Sequence, residues 1–331
     1  MNEKRGLSGE DRLIDRFFRP LAKHPGAFNL VDDAASIAPL PGRDLVLTAD
    51  AIVAEVHFLS ADPADMVAMK AMRVNLSDLA AKGADPLGAL MTIALPDDFS
   101  EAWLADFARG LGADCDRFDC PLLGGDTTRT KGALAISIMA LGSVPEGKMV
   151  RRAGAREGDA IVVTGTIGDA ALGLALRRNA ASFAKLSGEE REHLARRYLI
   201  PEPRVGLAQA ICEHASAAID ISDGLAGDLG KLAAASGVAA RIEAARVPLS
   251  RAARAALEAD GKLIETVLTG GDDYEVALTL AENRRESLVA AARAIGVPVT
   301  TIGRIERGHG ADVIAADGSP MALKRPSFSH F

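Results

Sequence analysis

From Pro63 to Lys82 the apolar positions recur at helical spacing: Ala68, Ala71, Val74 and Leu79 fall on one face, and Gly83 follows as a stop. The spacing predicts a long helix. A shorter amphipathic pattern runs from Asp11 to Leu21 and leads into a loop with His24, Pro25 and Gly26. Apolar runs of strand character surround the long helix: Leu45 to Leu47 running into Thr48-Ala49-Asp50, Leu87 to Leu95, Pro121 to Leu123 ending at Gly124-Gly125, and a run through Ile136 and Ile138. Glu101 to Phe118 reads as a further helix.

Composition shifts at Pro145 to Arg156, which is rich in Gly, Lys and Arg, and the domain boundary is expected there, giving domains 1–148 and 149–331. The second half opens with a strand at Ala160 to Thr164 and a helix from Asp169. A polar Ser-Gly-Glu-Glu-Arg-Glu stretch follows, then helices around Leu207 to His214 and Leu225 to Ala235, and a strand at Val276-Ala277-Leu278. No internal repeat appears at solenoid periods. The periodicity is compatible with two ordinary α/β domains.

Composition narrows the function. A chain of 331 residues that is 48% hydrophobic and 25% charged can bury a large core. Its net charge of −7 argues against nucleic-acid and anionic-membrane partners, which reward clustered Lys and Arg. The longest apolar stretch, Ala133 to Val144, is too short to span a bilayer and reads as a buried strand. The N-terminus lacks the apolar core of a signal peptide. The three cysteines, Cys115, Cys120 and Cys212, form no CxxC pair, so a reducing cytoplasm is the expected compartment and inert thiols the expected role.

The candidate chemistry lies in acids placed beside glycines or at the ends of apolar runs: Asp50, Asp126, Asp220, Asp223 and Asp272. An ionised carboxylate against apolar surface is costly unless neutralised, and hard divalent cations prefer oxygen ligands. The pattern points to magnesium and phosphate. Asn75 and Asp78 interrupt the apolar face of the long helix three residues apart, which fits either metal coordination or a buried polar pair satisfied by backbone. Gly165-Thr166-Ile167-Gly168-Asp169 fits either a phosphate site at a helix N-terminus or a plain tight turn. There is no GxxxxGK[ST], no protein-kinase catalytic loop and no HExxH, so a Walker loop, a protein-kinase site and a zinc protease are set aside.

Taken in order, Asp32-Asp33-Ala34-Ala35, Thr48-Ala49-Asp50, His57-Phe58, Val74-Asn75-Leu76-Ser77-Asp78-Leu79-Ala80-Ala81, Gly83-Ala84-Asp85-Pro86, Gly124-Gly125-Asp126-Thr127-Thr128, Asp220-Ile221-Ser222-Asp223-Gly224 and Gly270-Gly271-Asp272-Asp273-Tyr274-Glu275 resemble the thiamine-monophosphate kinase family. Several of these motifs are shared with the wider superfamily of aminoimidazole ribonucleotide synthetase, selenophosphate synthetase and a hydrogenase maturation factor. The resemblance implies two α/β domains: an N-terminal one, binding metal and ATP phosphates and lending strands to a β-barrel completed across a homodimer, and a C-terminal α/β sandwich covering nucleotide and substrate. It implies ATP-dependent phosphorylation of thiamine monophosphate to thiamine diphosphate with several magnesium ions. It assigns metal binding to Asp33, Thr48, Asp50, Asp78, Asp126, Asp220 and Asp223, with Asp50, Asp78 and Asp126 central to catalysis. Gly125, Asp126, Arg152 and Ser222 are assigned to ATP, with Arg151 the rival phosphate clamp. His57, Asp272 and Phe328 are assigned to the acceptor.

The chain also departs from the family pattern. Asn29-Leu30-Val31 stands where a Gly-x-Gly is usual, Ala49 where a hydroxyl residue is usual, and Asp272 where Glu is usual. Two other readings stay open: an ATP-dependent amidine ligase of the same superfamily, and a non-catalytic nucleotide-binding module.

Overall fold

The computed structural model describes residues 8–325 and 327. The chain divides into two compact units, one formed by residues 1–76 and 86–146, the other by residues 77–85 and 147–331. The first contains α1 (Gly9–Leu13), β1 (Arg43–Val53), most of α2 (Ala64–Ala81), β2 (Asp85–Pro96), α3 (Glu101–Arg117), β3 (Leu122–Thr130) and β4 (Ala135–Pro145). Its four-stranded sheet has the order β1-β4-β2-β3. β1 and β4 pair antiparallel from Arg43↔Pro145 to Val53↔Ala135, while β2 and β3 run parallel.

α2 forms where the spacing placed it and is buried along most of its length, the polar side chains of Lys70, Arg73, Asn75 and Ser77 included. The buried Arg73 on this helix is held by two hydrogen bonds to Asp114 of α3, at 2.7 and 2.8 Å. Gly83 adopts φ +70, and Ala84 N–H bonds back to Leu79 O, so the glycine ends the helix by the left-handed route.

Two local expectations change. The Asp11 to Leu21 pattern gives only the short α1, followed by a π-type turn (Ile14–Phe18) and a 3-10 turn (Arg19–Leu21) in which Pro20 cannot donate to the ladder. The strand expected to stop at Gly124 runs on to Thr130, so Gly125 and Asp126 lie inside β3.

The second unit holds β5 (Ala160–Thr164), α4 (Asp169–Arg178), α5 (Gly188–Leu199), α6 (Ala208–His214), β6 (Ala217–Asp220), α7 (Leu225–Ser236), β7 (Ala239–Glu243), α8 (Arg251–Ala259), α9 (Ile264–Thr269), β8 (Val276–Leu280), α10 (Arg285–Ala294), β9 (Val299–Glu306) and β10 (Gly310–Ile314). Its six strands take the order β10-β7-β9-β5-β8-β6. Both faces of the central strand are buried. Ile161 and Val163 join Leu172, Leu229 and Ala253 on one side; Ala160 and Val162 join Ile211, Leu278 and Leu288 on the other. Helices therefore cover both faces, which is why β5 and β8 read as unbroken apolar runs instead of alternating ones. Among the described residues, no helix is long and apolar enough to cross a membrane.

Candidate active site

In the first unit, successive side chains of β1 alternate faces, so Thr48 and Asp50 share a face with the buried Val46 and Ile52. Asn75 fixes this strand. Its Oδ1 accepts the Asp50 N–H at 3.0 Å, and its own amide donates to Ala71 O at 3.0 Å. The buried Asn75 is thus satisfied by backbone, one of the two roles open for it. On β3, Gly125 sits opposite Met91 in the parallel pairing, and a Cβ there would lie 1.7 Å from Met91 O. The missing side chain makes room for the neighbouring strand. Asp126 follows on the exposed part of β3, and Asp33 lies exposed in a loop, its N–H on the Asp32 carboxylate. His57 is half-buried; its Nδ1 accepts the Val53 N–H at 3.1 Å, while its carbonyl accepts from the buried Lys70.

The second unit gathers a denser set of charges. Ser77, one residue before Asp78, donates its hydroxyl to the Asp220 carboxylate at 3.0 Å. Asp220 is buried, and burial, reinforced by the neighbouring charges of Asp78 and Asp228, pushes its carboxyl well above the usual carboxylate range. Lys82 donates to Ala218 O at 3.0 Å. Burial lowers its pKa, the nearby Asp220 and Asp78 raise it, and the positive charge of Arg152 lowers it further. Arg152 itself is exposed, and its carbonyl accepts from Ser236.

Asp223 begins the next turn. Its N–H and that of Gly224 both donate to the buried Asp228 carboxylate, at 2.9 and 3.1 Å, and Lys231 bridges Asp223 and Asp228. Asp228 therefore shapes the loop that carries Ser222 and Asp223. The segment Gly270 to Glu275 is laced to that loop: Asp272 N–H donates to Ser222 O and Tyr274 N–H to Ile221 O, each at 2.9 Å. Asp272 and Tyr274 adopt φ +71 and +50, a region unusual for side-chain-bearing residues.

The Gly165 to Asp169 loop is closed to phosphate. The Asp273 carboxyl group accepts from Gly168 N–H at 2.6 Å and Ala170 N–H at 3.2 Å, so the chain's own side chain occupies the N-terminus of α4. Gly165 N–H is bonded to Pro298 O and Ile167 N–H to Pro248 O. Among the described residues, no three His, Cys, Asp or Glu side chains stand together as a ready-made metal cage. Acids come within electrostatic reach as pairs, Asp78 with Asp220 and Asp223 with Asp228 among them.

Residues 31–144 match the AIR synthase related protein, N-terminal domain family, and residues 156–316 the corresponding C-terminal domain family. The chain is 44% identical over 301 residues to the thiamine-monophosphate kinase of Caulobacter vibrioides, an alignment spanning 90% of this chain and 84% of the relative. The chain belongs to the thiamine-monophosphate kinase family. The crystal structure of the family member from Stenotrophomonas maltophilia K279a superposes with a TM-score of 0.82 at 40% identity, covering 94% of this chain and 96% of that one. A second family structure, AaThiL complexed with AMPPCP and TMP, gives 0.78 at 32% identity over 92% of this chain and 97% of that one.

The placement of the acids beside glycines, at the ends of apolar runs and on the long helix drew attention to Asp50, Asp78, Asp126, Asp220, Asp223 and Asp272 but not to the side chains that hold their backbones. For Asn75 the backbone-satisfied reading is the one the hydrogen bonds bear out, whereas the sequence reading gives no role to Ser77, Lys82, Asp228 or Lys231. Lys82 lies one helical turn beyond Asp78, and Asp228 interrupts the apolar face of α7, so each carried a local signal. Phe328 lies outside the described residues.

Proposed function

We propose that the protein transfers the γ-phosphoryl group of ATP to the phosphate of thiamine monophosphate, giving thiamine diphosphate in the final step of that coenzyme's biosynthesis. The acceptor is a phosphate oxygen, largely deprotonated near neutral pH because its second pKa is about 6. No general base is needed. The reaction is a direct in-line displacement without a phosphoenzyme: the acceptor oxygen attacks the γ-phosphorus, and the bond to the ADP leaving oxygen breaks.

The observation that carries the reading is Asp220, a buried carboxylate beside Asp78 and Asp228. A buried acid crowded by other acids is suited to a divalent cation, and the donor set is all oxygen. We assign Asp33, Thr48, Asp50 and Asp126 in the first unit, and Asp78, Asp220 and Asp223 in the second, to magnesium. Bound magnesium offsets repulsion between the two substrates' phosphates, which at ~4 Å amounts to about 4 kcal/mol per unit charge pair at an effective dielectric of 20. We assign Gly125 and Asp126 in the first unit, and Arg152 and Ser222 in the second, to ATP, with Arg152 as the phosphate clamp. His57 and Asp272 orient the acceptor; the Val53 N–H on Nδ1 leaves Nε2 as the protonated ring nitrogen of neutral His57.

The working protein is a homodimer. Leu45, Leu47 and Met139 are 48%, 60% and 40% exposed on one face of the first unit's sheet, an apolar surface suited to a second copy.

The test is ATP consumption with magnesium in the presence of thiamine monophosphate, thiamine or formylglycinamidine ribonucleotide, offered separately, with products separated by chromatography. Thiamine diphosphate from the monophosphate alone is the expected result. ADP formed only with the ribonucleotide would move the chain to the amidine-ligase branch, and no turnover with any acceptor would leave a nucleotide-binding module.

A further inference from the structure

The loop Gly270 to Glu275 holds two side-chain-bearing residues at positive φ, so something must pay for and fix that geometry. Its last residue, Glu275, is fully buried, and its carboxylate gathers three other side chains. Thr164 Oγ1 donates at 2.6 Å, Arg204 Nε at 2.6 Å and Arg197 Nη2 at 2.9 Å; Arg204 Nη2 makes a further close contact. Arg197 Nη2 also donates to Asp273 O at 3.2 Å, one residue from Asp272. The Glu275 carbonyl accepts the Ile221 N–H at 2.8 Å, next to Asp220.

This array is an expensive way to gain stability alone. Buried ion clusters seldom outperform apolar packing of the same shape. Arg197 Nε is buried without a hydrogen-bond partner, a further cost. What the cluster supplies is direction: the two guanidinium forks and one hydroxyl fix the carboxylate from several sides, and so fix the end of the loop. Gly165 has no room for a side chain beside it, since a Cβ would lie 2.0 Å from Glu275 Oε1.

We propose that Arg197, Arg204 and Thr164 act through Glu275 as positioning residues that hold Asp272 in place for the acceptor. The proposal rests on the kinase reading for its acceptor and on the hydrogen-bond geometry for its clamp. Two variants test it. Glu275→Gln keeps the shape and removes the charge, and the triple variant Arg197→Met/Arg204→Met/Glu275→Leu replaces the cluster by apolar side chains so that the unit can still pack.

Hydrogen exchange of the Asp272 and Tyr274 amides is compared with wild type under conditions of equal global stability. In both variants these amides should exchange at least about tenfold faster, and KM for thiamine monophosphate should rise at least about tenfold while KM for ATP stays within about twofold. Thr164→Ser should keep wild-type behaviour where Thr164→Val follows the variants. Unchanged exchange would overturn the clamp, and faster exchange with unchanged KM would overturn its role toward the acceptor. A wild type that makes no thiamine diphosphate would sink the kinase reading and with it the acceptor role, and the exchange comparison would still decide the clamp.

Discussion

At the scale of single residues, the acids first noticed for the same reason live in different surroundings. Asp220 is buried beside Asp78 and Asp228, whereas Asp126 is exposed on β3. Asp220→Asn should therefore raise the thermal midpoint in the absence of magnesium by a few degrees, about 2–4 °C for each kcal/mol of relieved burial cost and repulsion. The same change should weaken the midpoint's response to magnesium and cut product formation by at least about 10²-fold. A lowered midpoint in chelator would mean that Ser77 and Lys82 already satisfy an ionised Asp220. Asp126→Asn should leave the midpoint unmoved while product formation falls by a similar factor of roughly 10²; unchanged turnover would remove Asp126 from the site. The sequence displayed these acids because each ends an apolar run or follows a glycine. It could not display Ser77, whose importance comes from a partner brought close by folding: Ser77 meets Asp220 across 143 positions.

At the scale of elements, the long apolar helix was the most legible feature because burial on nearly all sides repeats one signal over many turns. α5 was less legible, read only as a polar stretch, although Ser187 and Glu190 form a capping box whose spacing was available in the sequence. β3 was cut short because glycines usually end strands; here Gly125 continues one by admitting Met91 O. Gly125→Ala should accordingly destabilise the protein by about 1–3 kcal/mol in urea unfolding, the cost of overpacking a tight contact. The N-terminus of α4 gives a second prediction. Burial pushes the Asp273 carboxyl up to about 8, with the Asp169 charge adding to it, against the Gly168 and Ala170 N–H groups that favour the ionised form. The unfolded chain releases this proton near pH 4. Between about 4 and 8 the native state binds more protons, so this group's contribution to stability declines as pH rises through that window. Asp273→Asn abolishes that titration, and its stability relative to wild type should be greater at pH 9 than at pH 5 in urea melts. A difference independent of pH would show that Asp273 keeps its charge in the folded state.

At the scale of the whole molecule, alternation of helix and strand was enough to read two α/β halves, but pairing order was out of reach because strands distant in sequence become neighbours, as β1 and β4 do. Surface use was equally hidden: on paper, Leu45 and Leu47 belong to an ordinary strand. In the fold, β1 is an edge strand whose outward positions Leu45, Leu47, Ala49 and Ala51 are all exposed, with Met139 opposite Ala49 on β4. An exposed apolar edge strand invites unwanted pairing unless another surface covers it. A second copy presenting the same face would cover it symmetrically, with each Leu47 buried against the partner's sheet. Leu47→Glu then separates burial from folding. Within one chain the side chain is 60% exposed, so the substitution should cost little, within about 0.5 kcal/mol. Across a symmetric interface it would bury two carboxylates close to the axis, which no dimer of ordinary strength tolerates. Sedimentation at micromolar concentration should give twice the chain mass for wild type and the single-chain mass for Leu47→Glu, with both proteins retaining the same circular dichroism spectrum. A variant that sediments as wild type does would mean that this face is not where two copies meet.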